Sequence, residues 1–531
     1  MEDLVLILGG WILIAAITNT TGTGIPGPAT VVVVMVRFIY WLLNSPFDLL
    51  DSSSRNQLLG SWDQRSVLRT GSSGKFTGIV VDGRRRMSEK SSHRHTLVVG
   101  PTGSGKSSAI FLINLLSTPR YSSFFVYDPK SELWAKSSGY LASIGFRVLR
   151  LVPGQLEQSV RFNPLKRALV SDKEIRRLSE ILVPSDAKGE AFWVDGARQL
   201  LFILVKVLSY QEDTTMHCLP VLRQLINQLG NIDQMTKLVW LTGDTRLISE
   251  WDGMSRSVDS KVMGAWISHL RVSTDFLLDE EAAELVAADN MDFGSFRHRP
   301  TVLFLNVGER NLQVYKSIIA LLLAQFIDEA MRNPAVEHDA SARSLCFLLD
   351  EFGVFASQMK SLPETLSMAR SFRCSFLLGA QSLSQINDAF GSERARSLLE
   401  NLVTEIYLAG ITDPQTLTLL EQRLGNTDHD SGGFVSSRPL MSASEIRAMK
   451  DHHALVFHAN KQGFITKTKP YFLQPKLRRR AKKKPIAEIF LSERTGIPFL
   501  NLHNLVTTPE EDSGEESLAD FLSAAGEEGE R

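Results

Sequence analysis

Cysteine is scarce: Cys218, Cys346 and Cys374 are the only three in 531 residues. Widely spaced and mostly in apolar stretches, they offer neither a disulfide framework nor a metal-binding cluster. They are expected as reduced core residues of a cytosolic domain. A surplus of charge of one sign is also missing. The formal net charge of −1 excludes a uniformly basic, nucleic-acid-coating protein, although unevenly placed charges still allow local basic surfaces. No internal repeat is evident. What remains is ordinary globular composition, 43% hydrophobic and 22% charged, in a chain long enough for about two or three domains.

The N-terminus departs from that pattern. Leu4–Ile17 is apolar and uncharged, Thr18–Pro28 is turn-rich, and Ala29–Leu43 is a second apolar run broken only by Arg37. Each run is shorter than the ~20 residues of a usual spanning helix, but flanking residues extend the first and Arg37 can snorkel to an interface. The Met1-Glu2-Asp3 start lacks the basic residues of a signal peptide. The reading taken is a two-helix transmembrane hairpin within 1–48, with a buried helical hairpin as the bland alternative. Arg55, Arg65, Arg69 and Arg84–Arg86 fit a cytoplasmic side after the second run.

From His95 onward, short β-branched runs alternate with helical patterns, the signature of an α/β fold with a parallel sheet. The spacing predicts strands at Thr96–Val99, Ser123–Tyr127, Phe146–Leu151, Thr301–Asn306, Ser344–Leu349, Cys374–Gly379 and Val403–Ala409. Helices are predicted over Lys106–Ser117 and Ser131–Ser143, and an edge hairpin from Ala454–His458 and Phe464–Thr468. Between Ser171 and Asp289 the pattern is helical, so an all-α unit (169–292) is expected inside a discontinuous nucleotide-binding domain (49–168 and 293–475). Residues 476–531 read as a basic and then acidic disordered tail, with seven Lys or Arg within Lys476–Lys484 and a small apolar island at Leu518, Phe521 and Leu522.

The strongest motif is Gly100-Pro101-Thr102-Gly103-Ser104-Gly105-Lys106-Ser107, lying between a predicted strand and a predicted helix, the context a phosphate-binding loop requires. Its glycines let backbone N–H groups close around phosphates, and the helix N-terminus adds a favourable dipole. Lys106 is expected on the β- and γ-phosphates of ATP, with the Ser107 hydroxyl on Mg²⁺ and Ser108 completing the loop. Far downstream, the apolar run Ser344–Leu349 ends in Asp350-Glu351. Asp350 is placed to hold Mg²⁺, and Glu351 to polarise the attacking water. Gln381, at the mouth of the Cys374–Gly379 strand, is a γ-phosphate or water sensor or an ordinary helix-start residue. Arg370 and Arg373 are each either an arginine finger serving a neighbouring subunit or a surface arginine. Asp128 is either an acid near the nucleotide or, as its spacing favours, a helix N-cap.

These residues resemble the type IV coupling proteins of conjugation and type IV secretion systems. The similarity runs from the N-terminal hairpin to about Lys469. Its markers are the loop from Val98 to Lys106, Asp128-Pro129-Lys130-Ser131-Glu132-Leu133-Trp134, Arg161-Phe162-Asn163-Pro164-Leu165, Ala191-Phe192-Trp193, Leu349-Asp350-Glu351-Phe352, Ala369-Arg370-Ser371 and Ala380-Gln381-Ser382-Leu383-Ser384-Gln385-Ile386. The resemblance implies a RecA-like motor domain with a membrane-distal all-α domain inserted, assembled as a hexameric ring at the bacterial inner membrane. It implies partners too: single- or double-stranded DNA, a relaxase or effector proteins, and components of the secretion channel. It favours Arg370 as the trans-acting arginine. Three departures stand out: the tail after Pro475 has no counterpart in the family pattern, and two short motifs differ from it. Ser107-Ser108 follows the loop lysine where the family often has glycine, and Lys130-Ser131-Glu132 stands for the family's Lys-Gly-Glu.

The implied function is a membrane-anchored ATPase that brings relaxase-bound DNA or proteins to the channel. A receptor for protein effectors, using nucleotide mainly for assembly, is the alternative. Lys476–Lys484 is either a nucleic-acid or anionic-lipid contact or a solvated linker, and the acidic tail either recruits a basic partner or keeps the chain soluble.

Overall fold

The structure is a computed structural model describing residues 69–70 and 78–500, apart from short stretches at 84, 119–121, 185–190, 230–231, 334–335, 337–338, 340, 355, 357–358, 360, 432–433 and 490–495. The two apolar N-terminal runs and the acidic tail lie outside the described residues. Among the described residues no helix is long and apolar enough to cross a membrane.

Nine strands form the main sheet: β1 (Thr96–Val99), β2 (Ser122–Tyr127), β3 (Arg147–Leu151), β4 (Thr301–Leu305), β5 (Ser344–Leu349), β6 (Cys374–Ala380), β7 (Thr404–Leu408), β8 (His453–His458) and β9 (Phe464–Lys467). Their order is β9-β8-β7-β1-β6-β5-β2-β4-β3. Strands β1 to β7 are mutually parallel, while β8 and β9 add an antiparallel edge. Every residue of β1, β5, β6 and β7 is buried. Helices cover both faces, so these strands read as continuous apolar runs rather than alternating ones. A polar hairpin, Asn426–Ser431 with Phe434–Pro439, escaped the sequence reading because Asn-Thr-Asp-His-Asp-Ser carries no apolar alternation.

One face packs against residues 79–87 and the helices following β1 and β2, with Val80, Leu115, Leu116, Leu133 and Tyr140 in its core. On the other face Phe347 and Phe376 stack with ring centroids 4.4 Å apart. Phe326, from helix α1 (Leu312–Ala330), wedges against Phe125, Phe293, Phe296 and Phe347 at 4.8–5.7 Å. Burying each such ring contributes roughly 1.5–3 kcal/mol.

From Pro164 to Ala287 every described element is helical. Ser171, Asp244, Asp259 and Asp279 cap four of these helices through their side chains, each removal costing about 1 kcal/mol. The apolar core of this block, including Leu178, Leu200, Trp251 and Leu270, is continuous with the Phe326 face of the sheet. The Arg161–Leu165 segment explains itself at that junction. Phe162 N donates to Leu285 O at 2.9 Å, Asn163 caps the next helix at Lys166 N, 3.1 Å away, and Pro164 takes its first position.

The basic segment read as tail is packed on the protein through much of its length. Pro475–Arg480 is helical, with Leu477 and Ala481 buried. Farther along, Glu488 N donates to Val148 O at 2.9 Å. Leu500 N reaches Gln224 Oε1 at 2.7 Å, with the Leu500 side chain only 1% exposed. An apolar pair spaced i, i+4 within a lysine-rich run supplies the docking face.

Candidate functional site

The carboxyl ends of β1, β2, β5 and β6 lie along one sheet edge, where ligands bind in open α/β sheets. After β1 the loop turns through Gly103 and Gly105 at φ of 83° and 93°, conformations that glycine adopts without a Cβ penalty. The chain then enters a π-wound turn, Lys106–Phe111, before regular α-helix resumes at Leu112–Leu116. Sequence alone predicts one uniform helix here. The first N–H groups of such a turn have no partner within the helix, although Ala109 N already bonds Gly105 O at 2.8 Å.

Lys106 is 6% exposed. Its ammonium donates to Gly100 O and, at 3.3 Å, to Pro101 O, so the lysine satisfies itself on the loop's own carbonyls. Burial lowers its pKa, opposed by the nearby Asp350 and Glu351 carboxylates. Ser107 Oγ donates to Asp350 Oδ2 at 2.6 Å, joining two residues separated by 243 positions. The other carboxylate oxygen, Oδ1, is buried and has no hydrogen-bond partner among the described residues. Burial pushes the Asp350 carboxyl up to about 6, against the lowering effect of Ser107 and Lys106. A hydroxyl beside a buried carboxylate with one unmatched oxygen suits a hard divalent cation with oxygen ligands, so these residues fit Mg²⁺.

Glu351, 8% exposed, accepts from Gln381 Nε2 at 3.2 Å and lies 3.8 Å from Lys130 Nζ. Because β6 pairs with both β1 and β5, Gln381 stands between the phosphate loop and the Asp350-Glu351 pair. Ser108 Oγ folds back on Gly105 O at 3.3 Å. Asp128 caps the following helix α2 (Glu132–Ser143) from outside, accepting from Trp134 N at 2.8 Å. The Asn306 amide also reaches Asp128 Oδ2 at 3.1 Å, and Arg150 in turn donates to Asn306 Oδ1 at 2.6 Å while stacking 3.8 Å over Trp134. Burial raises Asp128 to about 6 in spite of these bonds. Lys130, Asn306 and Arg150 escaped the sequence reading. Lys130 lies in the turn between β2 and α2, where local spacing shows no carboxylate partner, and the other two stand at the ends of β4 and β3, where only sheet order brings them together.

Arg370 is not at this edge. It caps helix α3 (Leu362–Ala369) and is exposed just before β6. The seven residues of β6 therefore separate it from the carboxyl edge by about 20 Å. Its guanidinium makes no hydrogen bond or ion pair among the described residues. Arg373 is committed structurally instead, bonding Asp339 O at 2.7 Å and Glu89 Oε1 at 3.0 Å.

The family model for type IV secretory system conjugative DNA transfer matches residues 55–489. VirD4 of Agrobacterium fabrum is 24% identical over 391 residues, covering 68% of this chain and 56% of that protein. VirD4 of Rhizobium radiobacter is 25% identical over 345 residues, covering 62% of this chain and 48% of that one. The chain thus spans about half the length of these relatives. Among solved structures, the plasmid coupling protein TrwB with ADP and Mg²⁺ superposes at a TM-score of 0.60 and 19% identity, over 79% of this chain and 92% of that chain. TrwB with a non-hydrolysable ATP analogue gives the same score over 80% and 93%. The shared architecture is the RecA-like α/β fold. With a family match that covers most of its residues and reaches past the basic segment, this chain belongs to the type IV coupling proteins of conjugative DNA transfer.

Proposed function

We propose that this chain is an ATP-hydrolysing motor, anchored in the inner membrane by its N-terminal hairpin and assembled as a hexameric ring. It delivers relaxase-bound DNA or proteins to a type IV secretion channel. The observation that carries the ATPase reading is the Ser107–Asp350 contact with its unmatched Oδ1, beside a Glu351 held by Gln381. The loop from Gly100 to Ser108 binds the phosphates of ATP, and Lys106 leaves its own carbonyls for the β- and γ-oxygens. Ser107 and Asp350 would hold Mg²⁺, which would supply charge compensation to the phosphates. Glu351 orients and deprotonates the attacking water, and Gln381 reports the state of that water to the strand beside the loop. Arg370 serves the site of the neighbouring subunit. TrwB structures with ADP and Mg²⁺, with an ATP analogue and with a GTP analogue support nucleotide binding at this loop.

The test is ATP hydrolysis by the full chain with and without single- and double-stranded DNA. Glu351→Gln is expected to bind ATP with kcat reduced by at least ~10², and Lys106→Ala to lose binding. DNA transfer that survives either substitution would leave nucleotide a role in assembly alone. ATPase activity that DNA does not stimulate would point to protein cargo.

A further inference from the structure

The segment after β9 is the part of the molecule that the ATPase site does not use. Its helix α4 (Pro475–Arg480) lies on the outer face of the helices that follow β1 and β2, anchored by Leu477 and Ala481. Arg480 turns inward, donating to Leu116 O at 2.5 Å and covering the Tyr140 ring at 4.5 Å. The other cations turn outward. Lys476, Arg478, Arg479, Lys482, Lys483 and Lys484 are all exposed, and none pairs with a carboxylate among the described residues. The backbone beneath them is fixed. A Cβ at Gly139 would stand 2.1 Å from Lys484 O, so the strap lies directly on α2, and the Trp134 indole donates to Ile486 O at 3.1 Å. Arg147 clamps Glu488 at 2.6 Å.

Two further observations give this ridge a partner. First, exposed apolar side chains flank it on both sides: Phe472 at 45% and Leu473 at 51% before it, Ile486 at 50% and Ile489 at 67% after it. Cations alone suit any polyanion. Three of these four, Leu473, Ile486 and Ile489, are aliphatic; they gain nothing from phosphates or from stacking on bases but enter the boundary between lipid headgroups and acyl chains. Second, the ridge begins where the chain arrives from its N-terminal runs. Gln474 Nε2 bonds Gly83 O at 2.9 Å, Lys469 N bonds Asp82 O at 3.2 Å, and Arg86 grips Ser117 at the end of the same helix that receives Arg480.

We propose that Phe472–Ile489 is a membrane-surface contact, its six outward cations binding anionic lipid headgroups while the flanking apolar side chains enter the interface. It rests on the membrane-anchored reading for bringing lipid within reach. The contact holds this outer helical face of the domain against the bilayer at a site separate from the proposed anchor.

The experiment is lysine acetylation of the full chain in lipid nanodiscs. Lys476, Lys482, Lys483 and Lys484 are expected to react at least about five-fold more slowly in phosphatidylglycerol discs than in phosphatidylcholine discs at ~0.1 M salt. The difference vanishes near 1 M, where the screening length falls to about 3 Å. Exposed Lys261 and Lys467 serve as unaffected references. Phe472→Glu combined with Ile489→Glu keeps every ridge cation yet is expected to lose the protection. Equal reactivity in both discs overturns the proposal, as does protection that survives this double substitution. Protection by single-stranded DNA in phosphatidylcholine discs that equals or exceeds the phosphatidylglycerol effect reassigns the ridge to nucleic acid. Whether the chain enters the discs is read separately by size. A chain that stays out refutes the anchor, and phosphatidylglycerol vesicles added to it then decide the ridge by the same chemistry.

Discussion

Arg370 gives the sharpest quantitative test of ring assembly. It lies at the amino end of β6 while its own phosphate loop lies at the carboxyl edge, about 20 Å of strand away. No rotamer of arginine spans that gap, so catalytic service by Arg370 requires a second subunit. Arg370→Ala is expected to lower kcat by roughly 10³ or more while leaving ATP binding intact. Lys106→Ala fails separately, by losing its own phosphate contact. In an equal mixture, a complete site forms wherever an Arg370→Ala subunit presents its intact loop to the intact arginine of a Lys106→Ala neighbour. Random assembly places each type with a chance of one half, so about a quarter of head-to-tail interfaces regain activity. The assay is ATP turnover of co-reconstituted variants across mixing ratios, with a maximum at parity. Turnover that never exceeds the sum of the two separate variants would refute the trans arrangement. Arg373→Ala is the control. Its bonds to Glu89 and Asp339 hold the amino edge together, so the expected loss is in stability.

Three further outcomes follow from single residues. His95 is 2% exposed and held neutral at both ring nitrogens, Nε2 on Leu366 O at 2.8 Å and Nδ1 facing Phe376 N at 3.3 Å, and burial lowers its pKa to about 4. The neutral ring contributes stability above its unfolded value of ~6.5 that is lost as pH falls toward 4. Between pH 7 and pH 5, urea midpoints should therefore show the wild type losing about 2 kcal/mol more than His95→Asn, and parallel slopes would sink the assignment. Ser131 stands at φ 55°, left-handed, where the family's glycine carries no penalty; Ser131→Gly should raise thermal stability by about 0.5–1 kcal/mol. Asp350→Asn should stabilise the ligand-free chain by roughly 1–3 kcal/mol by removing a buried charge, and abolish the thermal shift given by ATP with Mg²⁺; loss of both would mean a folding defect instead.

Much of the site is legible from sequence because each part is local. The loop glycines, the Asp350-Glu351 pair and Gln381 each announce themselves within eight residues or so of an apolar strand. Strand direction even places Arg370 at the opposite edge, once β6 is known to be parallel to β1. What sequence hides is the company these residues keep. The Arg150–Asn306–Asp128 chain depends on β4 inserting between β2 and β3, a crossover that no local pattern encodes. Within the helical block, caps and amphipathic spacing reveal the helices. The continuity of their core with the Phe326 face is a tertiary fact. The basic strap is the clearest failure of composition: seven cations in nine residues outweigh two small apolar anchors, although those anchors decide where the segment lies.

The electrostatics of the carboxyl edge show what the ligand-free fold gives up. Asp128 and Asp350 are both buried, and both are pushed up to about 6. Each raises the other's cost, since Asp128 is among the charges disfavouring ionised Asp350. The cations at hand do not cancel this: Lys106 is itself destabilised by burial and spends its donors on Gly100 and Pro101, and Lys130 sits 3.8 Å from Glu351 with more than half its side chain in water. A neutral isostere at Asp350 would make a more stable sheet edge, whereas Asp128 is already matched by Trp134 N and the Asn306 amide. The unmatched Asp350 Oδ1 beside Ser107 is where the proposed Mg²⁺ would complete the arrangement. If Mg²⁺ and the phosphates of ATP bind here as proposed, relief of that cost is expressed as binding free energy rather than as folding free energy.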